Sequence, residues 1–158
     1  MEIDYRKLRH DLNSLFFKLE TSTFLLEEET NQQEKEKILN ILKKVEKKVK
    51  IFLNAILIEN ENFKAKIQKI NISELLNIDE NVVIHTDKGI LEIAFDILFL
   101  LNKKENFNPE ILNNKIVING NFELEDEIEK YLILSLNEFS KKGNLKIDIN
   151  REKAVISW

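Results

Sequence analysis

The segment Leu8-Arg9-His10-Asp11-Leu12-Asn13-Ser14-Leu15 carries the residue types and spacing best suited to covalent chemistry. An imidazole nitrogen attacks a phosphoryl group well when an acidic neighbour fixes the ring's tautomer and raises its nucleophilicity. Asp11 stands beside His10 for that task. Ser14, one helical turn on, is placed to bond the ring, a phosphoryl oxygen or a water. Lys7 and Arg9 supply positive charge for a phosphorylated partner. The candidate catalytic residues are thus His10, as the acceptor, with Asp11 and Ser14.

Other chemistries lack their residues. The chain has no cysteine, so it has no thiolate nucleophile, thiolate metal site or disulfide framework, which suits a reducing compartment. His85, the other histidine, ends a predicted strand next to Thr86 and Asp87. Two distant histidines without a spaced carboxylate set do not make a metal site, so no metal is predicted and His85 reads as structural. Phosphate-cradling loops need several glycines close together. Gly89, Gly120 and Gly143 are isolated, and neither a Walker loop nor a dinucleotide fingerprint can be assembled from them.

The elements around His10 follow from apolar spacing. Leu8, Leu12, Leu15, Leu19 and Leu26 recur with Ser22 at the missing heptad position, which predicts a long amphipathic helix from Asp4 to about Glu29. After a polar run, Ile38, Leu42, Val45, Val49, Phe52 and Ile56 repeat the rhythm in a second helix to about Phe63. A short polar connection between them predicts an antiparallel hairpin. His10 lies about 200° from Leu8 and from Leu12, so it points away from the seam and into solvent. Phe16, Phe24, Leu25, Ile41, Leu53 and Leu57 widen the stripes beyond what one hairpin covers. Four helices in a two-fold homodimer would bury them.

Beyond Phe63 short β-prone runs alternate with helical ones. Strands are predicted at Lys66 to Ile72, Asn81 to His85, Lys115 to Asn119 and Asn121 to Leu124, with a terminal hairpin of Leu145 to Ile149 and Ala154 to Trp158. Helices are predicted at Ser73 to Leu76, Gly89 to Asn102 and Glu125 to Lys142, the last capped by Gly143. The fold class is α+β, a helical hairpin at 1–64 followed by a small α/β sandwich at 65–158.

With 43% hydrophobic residues in 158, the chain can build a core as one compact domain or two small ones. Its 24 basic and 28 acidic residues are mixed, without the basic stripe that nucleic acid would require. The charged start MEIDYRKLRHDL is no signal peptide, and no apolar stretch is long enough for a membrane span. A soluble, cytoplasmic protein with no nucleic-acid or membrane partner is expected.

His10-Asp11-Leu12-Asn13-Ser14 in the first of two heptad-patterned helices resembles the H-box of the dimerisation and histidine-phosphotransfer domain of sensor kinases. In that light Arg9, Asn13, Phe17 and Phe24 are candidate docking contacts. Phe17 and Phe24 follow His10 by seven and fourteen residues and share its face, as a strip for the receiver domain of a response regulator or for packing in the dimer or against the second half. The second half resembles the kinase ATPase domain with departures. Val82 to Leu91 is similar to its strand and turn, and Ile93 to Asn102 to the helix bearing the N-box, but Asp96 and Leu100 stand where asparagines are usual. The glycine loops of the nucleotide lid have no counterpart between Asn102 and Glu125.

Taken together, the chain resembles the kinase-like histidine phosphotransferases of bacterial two-component phosphorelays, with a degenerate ATPase-like domain. That resemblance implies a phosphoryl relay between receiver domains through His10, without ATP-dependent autophosphorylation. It implies no cofactor in this chain, with Mg2+ held by the receiver. Its partners would be a second copy, response-regulator receivers and a hybrid sensor kinase. The alternatives are a non-catalytic inhibitor that binds a kinase or response regulator, and a receiver phosphatase in which Asp11 and Ser14 orient a water.

Overall fold

The computed structural model describes residues 1–105 and 107–158. Helix α1, Tyr5–Glu28, starts where the Asp4 carboxylate accepts the backbone N–H groups of Arg6 and Lys7 at 3.0 and 3.1 Å. Those bonds, that of Lys7 foremost, hold the Asp4 carboxyl below its ordinary pKa. Helix α2, Gln32–Glu59, starts in the same way on Asn31, which accepts from Gln33 and Glu34. Only Glu29-Thr30-Asn31 lies between the helices, which forces the antiparallel hairpin.

The predicted seam of α1 holds: Leu8, Leu15 and Ser22 are buried, and Leu12, Leu19 and Leu26 are half-buried. On α2 it holds only partway. Val45 and Phe52 are buried, but Ile56 is 41% exposed, while Ile51, Ala55 and Ile58 are buried instead. The lower half of α2 has turned its apolar face toward the α/β half. The helix also stops at Glu59 and not near Phe63, because the Lys142 ammonium donates to the carbonyls of Ile58, Glu59 and Asn60 at 3.0, 3.3 and 3.1 Å.

In the second half, β1 (Ile67–Asn71) and β2 (Val83–Asp87) pair antiparallel around the short helix α3 (Ser73–Leu76), with Ile70 opposite Ile84. Helix α4 spans Lys88–Leu101. Its cap is Asp87, whose carboxylate accepts from Ile90 N and Lys66 N and so ties the helix to the end of the hairpin. A four-stranded antiparallel sheet follows, in the order β3 (Glu110–Leu112), β4 (Lys115–Asn119), β6 (Lys153–Ser157), β5 (Lys146–Ile149). Helix α5, Glu127–Lys142, covers it. Helix α4 is apolar nearly all round and is buried accordingly, with Leu91, Ile97, Leu98 and Leu101 fully enclosed.

One local expectation is corrected, and two details are added. Asn121 to Leu124 is not a strand: Asn121 N donates to the Asn102 side chain, Lys103 N to Asn121 O, and Phe122 N to Arg151 O, so loop contacts satisfy this backbone. Strand β3, which the sequence pattern does not predict, joins β4 through a tight hairpin turn at Asn113-Asn114, with Asn114 at φ 55°. Gly143 caps α5 as expected, at φ −94°, and the left-handed residue is the next one, Asn144, at φ 58°. Gly143 is required for space, since a Cβ there would lie 2.9 Å from Ile90 Cγ2 and Thr86 Oγ1.

Helices α2 and α5 bind the two halves together. Phe52 packs on Tyr131 with ring centroids 5.1 Å apart. The Glu59 carboxylate accepts from Tyr131 Oη and from Ser135 Oγ, at 2.5 and 3.0 Å. Burial first, and the Glu59 carboxylate second, push the Tyr131 phenol up to about 12. No helix among the described residues is long and apolar enough to cross a membrane.

Candidate functional site

His10 lies in the second turn of α1 with its side chain 79% exposed. Its Nδ1 is 3.4 Å from Asp11 Oδ1. Neighbouring helical residues project about 100° apart, so this contact is oblique and longer than a strong hydrogen bond. Nε2 has no protein partner among the described residues. The arrangement leaves one ring nitrogen beside a carboxylate and the other open to an electrophile.

Asp11 is less free than its neighbour. Its Oδ2 accepts the backbone N–H of Glu127, the first residue of α5, at 2.9 Å. The Glu127 carboxylate in turn accepts from Asp4 N at 3.1 Å and pairs with Lys130 at 3.3 Å. A shallow cleft of about 350 Å³ lies here, walled by Lys7, Asp11, Glu125, Glu127 and Lys130. Nothing in the sequence marks Glu127 as a site residue. Asp126 followed by Glu129 is a helix-start signal, and Asp126 does accept from Glu129 N at 2.8 Å, but nothing local says that this helix begins beside His10.

The other candidates are displayed on α1. Ser14 is exposed and bonds neither His10 nor Asp11, so the structure brings together two of the three catalytic candidates. Arg9 and Asn13 are exposed. Phe17 and Phe24 are 67% and 61% exposed, so neither serves to pack α1 against the second half. With His10, Asn13 and Thr21 they form an outward face about half a turn from the seam, uncharged from Arg6 to Glu28.

Behind the site a cluster of charges fixes α5. Lys48 of α2 pairs with Asp126 at 2.6 Å and Glu129 at 3.5 Å, and Lys103, just past α4, pairs with Glu129 at 2.7 Å and Glu125 at 3.3 Å. Burial opposes the Lys103 ammonium, but Glu129 and then Glu125 outweigh it and hold its pKa above the ordinary value.

Asp96 and Leu100 of α4 occupy the positions set against the N-box. Leu100 has no donor atom, and Asp96, whose carboxyl pKa is raised by partial burial, has Lys47 and Lys50 of α2 acting on it in the opposite sense. Near the end of α4, Asn102 Oδ1 accepts from Lys104 N and Asn121 N at 3.0 Å each. Its side chain leaves no room for a Cβ at Gly120. A cavity of about 770 Å³ between α5 and the edge strand β5 is lined by residues including Phe122, Ile133 and Ile147 and does not include His10. His85 is exposed in β2 opposite Lys69, and among the described residues no group of histidines and carboxylates is placed to hold a metal ion.

No protein-family model matches the chain, and no curated protein matches it. Among solved structures it is similar to the Acinetobacter baumannii histidine kinase AdeS, with a TM-score of 0.56 at 10% sequence identity, over 93% of this chain and 94% of that one. The likeness is one of fold: two N-terminal helices followed by small sheets, in a histidine-kinase-like α+β arrangement.

Proposed function

We propose that this chain is a histidine phosphotransfer protein that relays a phosphoryl group between response-regulator receiver domains through His10. The observation that carries the reading is the state of the His10 ring: exposed, with Nδ1 beside Asp11 and Nε2 open. In the first transfer the Nε2 lone pair attacks the phosphorus of a receiver's aspartyl phosphate. The N–P bond forms as the P–O bond to the aspartate breaks, and the receiver recovers a free carboxylate. The His10 ring becomes cationic in this step, with its proton on Nδ1. The Asp11 carboxylate faces that proton and stabilises the charge, the role an orienting acid plays for a reactive histidine. A second receiver takes the group in the reverse sense.

Each receiver would bring its own Mg2+, and no step passes through a nucleotide on this chain. Residues 1–64 form the phosphotransfer hairpin, and 65–158 the scaffold that braces it. The proposed docking surface is the uncharged strip through Asn13, Phe17 and Phe24, with Arg9 at its edge. Buried apolar anchors of this kind carry most of the energy of a small interface. A second copy would cover Phe16, Leu39, Leu53 and Leu57, which are 45%, 37%, 52% and 67% exposed.

Incubation with a phosphorylated receiver domain tests the reading. Acid-labile label should appear on the wild-type chain and be absent from His10→Gln. Label on both proteins alike, or on neither, overturns it. Loss of phosphate from the receiver without label on this chain would establish a phosphatase, and binding that leaves the receiver phosphate untouched would establish an inhibitor.

A further inference from the structure

We infer that the α/β half is part of the phosphoacceptor's own machinery, because the backbone N–H of Glu127 anchors Asp11 and, through it, positions His10. The inference rests on the relay reading for its consequence, but its geometry stands apart from it.

A carboxylate next to a histidine on an exposed helix face has no fixed direction by itself. Asp11 has one, because its two oxygens do different work. Oδ2 is held by the Glu127 N–H at 2.9 Å, and that leaves Oδ1 at 3.4 Å from His10 Nδ1. The donor is one of the four N–H groups that the first turn of any helix leaves without an internal partner. Asp126 takes the Glu129 amide, and Asp11, from another helix, takes that of Glu127. The positive end of α5 favours a negative charge there.

The anchor is held in turn. Glu127 receives Asp4 N from the start of α1, and the paired Lys48, Asp126 and Glu129 keep the start of α5 against α2. A fixed Asp11 Oδ1 selects the tautomer with the proton on Nδ1 and so keeps the Nε2 lone pair available. Glu127 is therefore a positioning residue that acts through its main chain, as outer partners of a reactive histidine do elsewhere.

Substitution can separate the amide from its side chain. Glu127 is the first helical position after the cap Asp126, where proline is well tolerated. Asp126 already has the extended backbone, φ −145° and ψ 173°, that a following proline demands. Glu127→Pro thus removes the N–H and keeps the helix, while Glu127→Ala keeps the N–H and removes the carboxylate. In the full chain, long-range proton–nitrogen NMR of the His10 ring, assigned against His10→Gln, reports which nitrogen carries the proton. Label uptake from a phosphorylated receiver reports the rate.

Glu127→Pro should move the ring toward the Nε2–H tautomer and slow uptake about tenfold. Glu127→Ala, which gives up the Asp4 contact but keeps the N–H, should hold the wild-type tautomer and lose much less of the rate than Glu127→Pro. Asp11→Asn keeps an acceptor for Glu127 and turns an amide toward the ring. It should shift the tautomer without touching α5. An unchanged tautomer in Glu127→Pro, or equal shifts in the proline and alanine variants, overturns the inference. If no chain takes up label, the relay reading fails, while the tautomer measurements still decide the tether.

Discussion

Lys103 and Glu129 meet at 2.7 Å in a setting where the carboxylate is almost wholly buried, and this pair joins the end of α4 to the first turn of α5. Removing one partner of a buried pair leaves the other charge without compensation. Lys103 keeps Glu125, and Lys48 keeps Asp126, which limits the damage. Glu129→Ala should therefore cost about 2 kcal/mol, below the full penalty for an isolated buried pair, as a lower midpoint in urea unfolding with an unchanged slope. Because the folded Lys103 pKa is raised, its contribution is complete below the ordinary lysine range and is lost as pH climbs above it.

Tyr131 gives a second alkaline signature. Its phenol is pushed up to about 12 by burial and by its bond to Glu59. A raised tyrosine pKa stabilises the fold fully below the unfolded value near 10, and that stability disappears as pH rises from there toward 12. Ultraviolet titration should show a phenolate transition near 12 that Tyr131→Phe removes. The same variant should lose about 1 kcal/mol at neutral pH for the missing hydrogen bond.

The elements were legible in the sequence where local pattern decides them, and illegible where tertiary contacts do. Leu8, Leu15 and Ser22 lie on the predicted seam because one partner helix covers that face. Ile56 left its seam because Ile51, Ala55 and Ile58 meet the α/β half, and a heptad rule cannot anticipate a third neighbour. Exposure of His10 followed from helix geometry alone. Its tether did not, since Asp11 and Glu127 are 116 residues apart and each has an ordinary local role, one beside a histidine and one opening a helix. Gly143 shows the same limit: a helix-ending glycine was readable, but not that its missing Cβ is what Ile90 and Thr86 require.

Gly143→Ala accordingly should destabilise by steric conflict and not by backbone strain. The new methyl would lie 2.9 Å from Ile90 Cγ2 and Thr86 Oγ1, and φ at −94° suits alanine. A cost of about 1–3 kcal/mol is expected, in the range for an overfilled core. Trimming the obstacle with Ile90→Ala, which removes both Cγ2 and Cδ1, should recover part of it, so the double variant should be less destabilised than the two single losses added. Thermal unfolding of the four proteins measures the coupling.

The exposed apolar side of the hairpin predicts self-association. Phe16, Leu53 and Leu57 widen the stripes on the side of α1 and α2 that the α/β half leaves bare. In a two-fold dimer each occurs twice, so one substitution removes two contacts. Leu53→Lys or Leu57→Lys should weaken the dimer by about a hundredfold or more, corresponding to nearly 3 kcal/mol over both copies. Sedimentation at several concentrations would show it. A wild-type chain that stays monomeric at high concentration would remove the four-helix bundle from the proposal.

Docking and chemistry should separate along α1. Phe17 and Phe24 share the outward face with His10 but touch no part of the site, and they are among the most exposed large apolar side chains. If they anchor a receiver, Phe17→Ala should raise the receiver concentration needed for half-maximal transfer by tenfold or more, the scale of about 2 kcal/mol for a buried aromatic anchor. The rate at saturating receiver should change little, because the His10–Asp11–Glu127 arrangement is untouched. Phe24, a further two turns from His10, should show a smaller effect of the same kind. Equal losses in the saturated rate and in half-saturation would place these aromatics in the chemistry and not in docking, and no change in either would remove the strip from the interface.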